Sequence, residues 1–196
     1  MINRTLVRTK VLQTLFAYYK DGDKTPLTAR KELLNSFSST YSLYMTMLAF
    51  ADELVTYAEE QIAENKQRAT ITHQEYVPNY RFVQNKVSRD LFNNRRLRNY
   101  IEENHLRWDT GMSAIETAYK QLIAAPFYKE FMEIERPTYE DEKTLWRKIY
   151  SNILLSNEVL YSALDEMEVA LDQEGWTIDA DMVITYVVKT VKRFKE

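Results

Sequence analysis

Leu34, Phe37, Tyr41, Tyr44, Leu48, Ala51, Val55, Ala58 and Ile62 follow one another in steps of three and four, the spacing that gathers side chains on one side of an α-helix. The pattern predicts a long helix here, with Ser38 and Ser39 as the place for a kink. The same period returns in Leu145, Ile149, Ile153 and Leu154, in Leu160, Leu164, Met167 and Leu171, and in Met182, Tyr186, Val187, Val191 and Phe194. At the amino end, a wheel of about 100° per residue places Val7, Val11, Leu15 and Tyr18 on an apolar arc flanked by Leu12 and Tyr19. Gly22, Pro26, Pro78, Gly111, Pro126, Pro137 and Gly175 punctuate the periodic stretches as short connections do. Only Ala69 to Tyr80 lacks a helical period, and it holds Pro78, which predicts a loop.

The expectation is therefore an all-α, multi-helix bundle with long amphipathic helices and no substantial sheet. Residues 1–68 form an opening helix and a long helical extension, 69–80 a loop, and 81–196 a helical region that continues the bundle. Composition agrees: 3 Gly and 4 Pro in 196 residues leave few positions for the tight turns of a many-stranded sheet or for a glycine-rich phosphate loop.

Further function classes fall on residue counts. With no Cys there is neither a disulfide framework nor a thiolate metal site nor a cysteine nucleophile, and only 2 His remain. His73 falls in the expected loop and His105 beside Arg107 and Trp108, a separation that defines no metal pair. No acid, base and pocket are brought together by any motif, so the reading is not an enzyme and needs no cofactor. No apolar run approaches the roughly 20 residues of a membrane span, and the first residues lack an uninterrupted apolar core, so a cytoplasmic protein without a membrane partner is expected.

Charge changes the picture most. The net charge is only −3, yet the charges are segregated. Arg4, Arg8, Lys10 and Lys20 precede the first acid, Asp21; Arg81 to Arg107 is again basic; Glu130 to Glu174 is acidic; and the chain closes on Lys189, Lys192, Arg193 and Lys195. Two local basic regions in a slightly acidic chain suggest a phosphate footprint. On the wheel Arg4 and Arg8 project within the apolar arc, whereas Lys10 projects away from it. Arg8 either joins a cationic ridge offered to phosphates or folds over apolar surface and pairs with a carboxylate from another helix. Arg4 and Lys10 lean towards solvent or a partner.

Arg95, Arg96 and Arg98 lie between Phe92 and Tyr100, so cations interleave with rings able to stack on unpaired bases. The competing expectation is a solvated face with an Arg98–Glu102 ion pair. Glu140, Asp141 and Glu142 precede Leu145 and Trp146 at an expected helix start, where the helix dipole accounts for them. Trp108, Trp146 and Trp176 are expected to anchor the core.

Read as a motif, Arg4, Val7-Arg8, Leu12-Gln13 and Leu15-Phe16 resemble the opening helix of the NusB transcription antitermination family, over about the first twenty residues. Val7 stands where that family prefers Ala, Lys10 where a less bulky residue is usual, and Phe16 for a Tyr. The tyrosine-rich extension is similar to the longer bacterial variants. The resemblance implies an all-helical, RNA-binding factor that acts with NusE, a small-subunit ribosomal protein, on the boxA element of ribosomal transcripts within the transcription complex. It assigns RNA contact to Arg4 and Arg8; Lys10 joins them on charge and position alone. The family's carboxy-terminal signature, an Asn-Glu pair followed by a Phe-x-Asn-Gly-x-Leu-Asp type segment, does not occur, so the 196 residues are expected to be the amino-terminal part of a longer protein.

Overall fold

A computed structural model describes residues 4–195. Among them the fold is all α: α1 (Arg4–Lys20), α2 (Pro26–Thr72), α3 (Lys86–Phe92), α4 (Arg95–Glu103), α5 (Met112–Ala124), α6 (Pro126–Glu133), α7 (Tyr139–Ile149), α8 (Glu158–Ala170) and α9 (Trp176–Lys192), with no strand. A π-helical turn, Tyr150–Leu154, continues α7. No helix among the described residues is long and apolar enough to cross a membrane.

The organising element is α2, 47 residues without an interruption at Ser38 or Ser39. Thr25 caps it by accepting from the Thr28 amide, and Pro26 occupies the first turn, where no amide partner is needed. The stretch expected to be a loop from Ala69 stays helical to Thr72. There the Thr70 and Thr72 hydroxyls donate back to the Lys66 and Arg68 carbonyls, and His73, left-handed at φ 55°, closes the helix with its amide on Thr70 O. The irregular connection begins only beyond this cap.

Buried side chains of α2 and of α3 to α9 form one continuous core. Along α2 the fully buried stripe is Leu43, Met47, Phe50 and Leu54, beside the seam read from the sequence. Leu48, Ala51 and Ala58 of that seam are also buried, whereas Leu34 lies beyond the core and is exposed. The mid-portion of α2 is enclosed on several sides, by α3, α4, α5 and α9, so its apolar face is broader than one seam.

The three tryptophans are core anchors. Trp108 meets Phe50 edge-on at 5.1 Å; the Trp146 indole donates to Asn85 Oδ1 at 3.0 Å; the Trp176 indole donates to Ser39 O at 3.2 Å. Gly111 lets the Trp108 ring approach: an added Cβ would stand 2.6 Å from its Cε3. At the start of α7, Thr138 and Asp141 form a reciprocal capping box. Glu142 departs from the dipole reading: it is buried and reaches across to α3, accepting from the Lys86 amide at 2.7 Å and the Val87 amide at 3.3 Å.

Helix α1 is turned from its wheel by about 100°, one residue's rotation. Its buried positions are Leu6 and Lys10, with Thr14 and Ala17 half-buried on the same side; of the expected arc Val11 and Tyr18 are half-buried, while Val7 and Leu15, with Leu12, Phe16 and Tyr19, are exposed. The helix folds back on the first turns of α2, whose Leu27 and Leu34 are exposed as well.

Candidate nucleic-acid interface

The cations of α1 exchange the roles expected of them. Lys10 is 6% exposed, and its ammonium lies 2.6 Å from Asp179 Oδ2 at the start of α9; Thr40 of α2 donates to the same oxygen at 2.5 Å. Lys10 is thus a buried structural cation, which corrects its assignment as an RNA contact: its ammonium is spent on a carboxylate inside the fold. Arg8 is exposed and makes no ion pair among the described residues, so the buried-partner reading belongs to Lys10 and not to Arg8. Arg4 is exposed too.

Contacts between α2 and α9 come in the same order along both helices: Ser39 with Trp176, Thr40 with Asp179, Tyr44 with Thr190. The two helices therefore run in the same direction. Since α1 is antiparallel to the start of α2, its amino end points the same way. Arg4 lies six residues before Lys10, a rise of about 9 Å towards the basic end of α9.

That end meets α4. Tyr41, Tyr44, Met45 and Leu48 of α2, Leu91 of α3, Asn94, Arg96 and Leu97 at α4, and Thr190 with Phe194 at the close of α9 line a cleft of about 440 Å³. Arg96 lines this cleft and Arg95, also exposed, precedes Arg96 in sequence, whereas Arg98 is exposed on the other side of Leu97; Lys189, Lys192, Arg193 and Lys195 are exposed at the α9 end. Two basic segments far apart in sequence are thereby brought to one opening, whose lining has no carboxylate. Arg96 stands over the Tyr41 ring at 5.9 Å and Arg98 over Phe92 at 6.0 Å. The expected Arg98–Glu102 ion pair is not among those of the described residues.

Local sequence explains the shape. Asn94 caps α4 by accepting from the Leu97 amide at 3.1 Å, and Leu97 is the one buried residue of that helix. A second cleft, of about 280 Å³, opens on the other side of Leu97 between Leu48, Asp52, Phe92 and Ile101. Leu97 is the buried anchor of α4, Tyr100 and Ile101 pack against the core beside it, and space opens on both flanks of Leu97. Inside the first cleft the Thr190 hydroxyl donates to Tyr186 O, so the Tyr44 hydroxyl donates to Thr190 at 2.8 Å and keeps its lone pairs for an incoming donor. Burial raises the Tyr44 hydroxyl above the ordinary tyrosine range, and burial likewise raises Tyr100. Both stay protonated at neutral pH.

Tyr41 and Tyr44 were visible in the sequence only as members of the α2 seam, and the basic end of α9 only as a charge run; nothing in the spacing joins them to Arg96. His73 and His105 are exposed and left-handed, serving turns. Among the described residues no three His, Asp or Glu side chains gather as a metal site requires.

Neither a protein-family model, nor a curated protein, nor a solved structure matches the chain.

Proposed function

We propose that this chain is an RNA-binding transcription antitermination factor resembling NusB, acting with NusE on boxA-type RNA of ribosomal transcripts. The observation that carries the reading is an aromatic cleft free of carboxylates, lined by Arg96 of α4 and by Thr190 and Phe194 within the basic close of α9, in a chain whose Arg4 and Arg8 are also exposed. Cations in such an arrangement neutralise phosphates and release counterions, while rings receive unpaired bases. Lys10 has no part in it.

Affinity for boxA-like and scrambled single-stranded RNA, with NusE present and over a range of salt, tests the reading. Tighter binding of the boxA-like RNA, weakening linearly on a log–log plot against salt, is expected. Equal affinity for the two sequences removes the antitermination reading, and an absence of RNA binding removes both.

A second reading, a helical protein-interaction module without RNA binding, draws on the α1–α2 hairpin. Leu12 and Phe16 are 66% and 71% exposed, and Tyr19, Leu27 and Leu34 extend the apolar surface. That reading predicts Leu12→Ser with Phe16→Ser to abolish a protein complex in a pull-down with NusE while RNA stays unbound at every salt concentration.

A further inference from the structure

We infer that the cleft between α2, α4 and α9 is a pocket for one unstacked nucleobase, which enters between the Tyr41 ring and the Arg96 guanidinium. The inference rests on the RNA reading above and deepens it, from a charged surface to a site that selects single-stranded RNA.

The lining falls into three parts. The floor is apolar: Met45, Leu48, Leu91 and Leu97, closed at one side by Phe194. The plane is aromatic: Tyr41, whose ring is steadied by the edge of Tyr100 at 5.2 Å and an interplanar angle of 90°. The polar groups are few: the Tyr44 oxygen, which keeps acceptor capacity, and the Asn94 amide nitrogen, since the Asn94 oxygen already serves the Leu97 amide. An apolar site with a few fixed polar groups is the usual form of a small-molecule pocket, and 440 Å³ lies in the common range of roughly 300–1,000 Å³.

Charge and spacing narrow the occupant. The only charged side chain lining the cleft is Arg96, and Phe194, which lines it with Thr190 at the close of α9, adjoins Arg193 and Lys195 in sequence, so the ligand joins a flat apolar body to negative charge. A nucleotide within a strand has that form: the base goes in and the flanking phosphates stay on the rim. Arg96 now stands 5.9 Å from the Tyr41 centroid, wider than a direct stack of about 3.5–4 Å. A base held between two planes needs about twice the stacking distance, roughly 7 Å. Arg96 is exposed and without an ion pair among the described residues, so it moves outward by this small amount without breaking a carboxylate contact. A duplex cannot use the site, because its bases are stacked and paired.

The test uses the full chain with NusE and a set of boxA-like single-stranded RNAs, each with one abasic nucleotide at a different position. With the wild-type chain, one abasic position is expected to lose at least tenfold in affinity while the others lose little. Tyr41→Leu, a half-buried position, is checked for an unchanged thermal midpoint. It should bind intact RNA about tenfold more weakly and lose nothing further at the sensitive position. Arg96→Gln, on the surface, should weaken the same position selectively. 2-Aminopurine placed there should be quenched by the wild-type chain and less so by Tyr41→Leu. Salt-dependent RNA binding with no base-sensitive position, or with a sensitivity that persists in both variants, overturns the pocket and leaves the RNA reading standing. No RNA binding overturns both.

Discussion

Lys10 and Asp179 form a buried ion pair, 2.6 Å between nitrogen and oxygen, that fastens the first helix to the last. Thr40 donates to the same carboxylate, so three helices meet at one charge. Removing the ammonium leaves Asp179 uncompensated in the interior, which costs about 3–5 kcal/mol. Lys10→Gln should therefore lower the denaturant midpoint strongly. Lys10→Met combined with Asp179→Leu should recover most of the loss, because the double replacement strands no charge. A midpoint unmoved by Lys10→Gln would contradict the pairing.

Arg4 and Arg8 should behave in the opposite way. Both are exposed, so Arg4→Gln and Arg8→Gln are expected to change stability by no more than about 0.5 kcal/mol. If they meet phosphates, each replacement reduces the slope of log affinity against log salt by about one. Titration of one RNA at several salt concentrations measures the slope, and an unchanged slope in both variants removes them from the interface.

Gly111 tests the packing of the core. A Cβ there stands 2.6 Å from Trp108 Cε3 and 3.0 Å from Met167 Sδ, both buried. Gly111→Ala should destabilise by about 1–3 kcal/mol through overpacking, read as a lower midpoint at unchanged denaturant slope. Gly22→Ala, with open space around it, is the control.

Glu53 supplies a pH prediction. Desolvation, with the nearby negative charges of Asp52, Asp109 and Glu60, raises its carboxyl above the ordinary glutamate value; desolvation and Glu59 raise Asp52 in the same direction. The folded chain thus holds these protons more tightly than the unfolded chain. Their ionisation weakens the fold as pH rises through the raised values, and their contribution recovers as pH falls again. Glu53→Gln should raise the melting temperature at pH 7, with an advantage that shrinks as pH is lowered into the carboxylate range. An advantage independent of pH would show that charge is not its cause.

What could be read from the sequence was decided by the range of the interactions involved. Helix identity is local, and the periods of three and four placed α2, α7, α8 and α9, as the acidic run Glu140, Asp141 and Glu142 placed the start of α7. Helix rotation is not local. The wheel turned α1 by its apolar residues, but the fold turns it by Lys10, whose partner lies at the far end of the chain. The α2 seam erred for a related reason: a helix covered on several sides has no single apolar face, so Leu43 and Met47 are as buried as any residue named in the seam. Glu142 shows the same limit, since its position in an acidic run carries no sign that it caps α3. Exposure of Arg95, Arg96 and Arg98 followed from their polarity, whereas the meeting of Arg96 with Thr190 and Phe194 depends on the packing of α9 against α2.

The length of α2 has a hydrodynamic consequence. At 1.5 Å per residue its 47 residues span about 70 Å, while a compact chain of this size has a radius of gyration of about 16 Å. Most side chains after Ala58 are exposed or only partly covered, so the helix extends past the core as a rod. Such a particle meets more friction than a sphere of equal mass and tumbles anisotropically. A single copy would leave a sizing column early, at the position of a larger globule, and light scattering would still return 23.3 kDa.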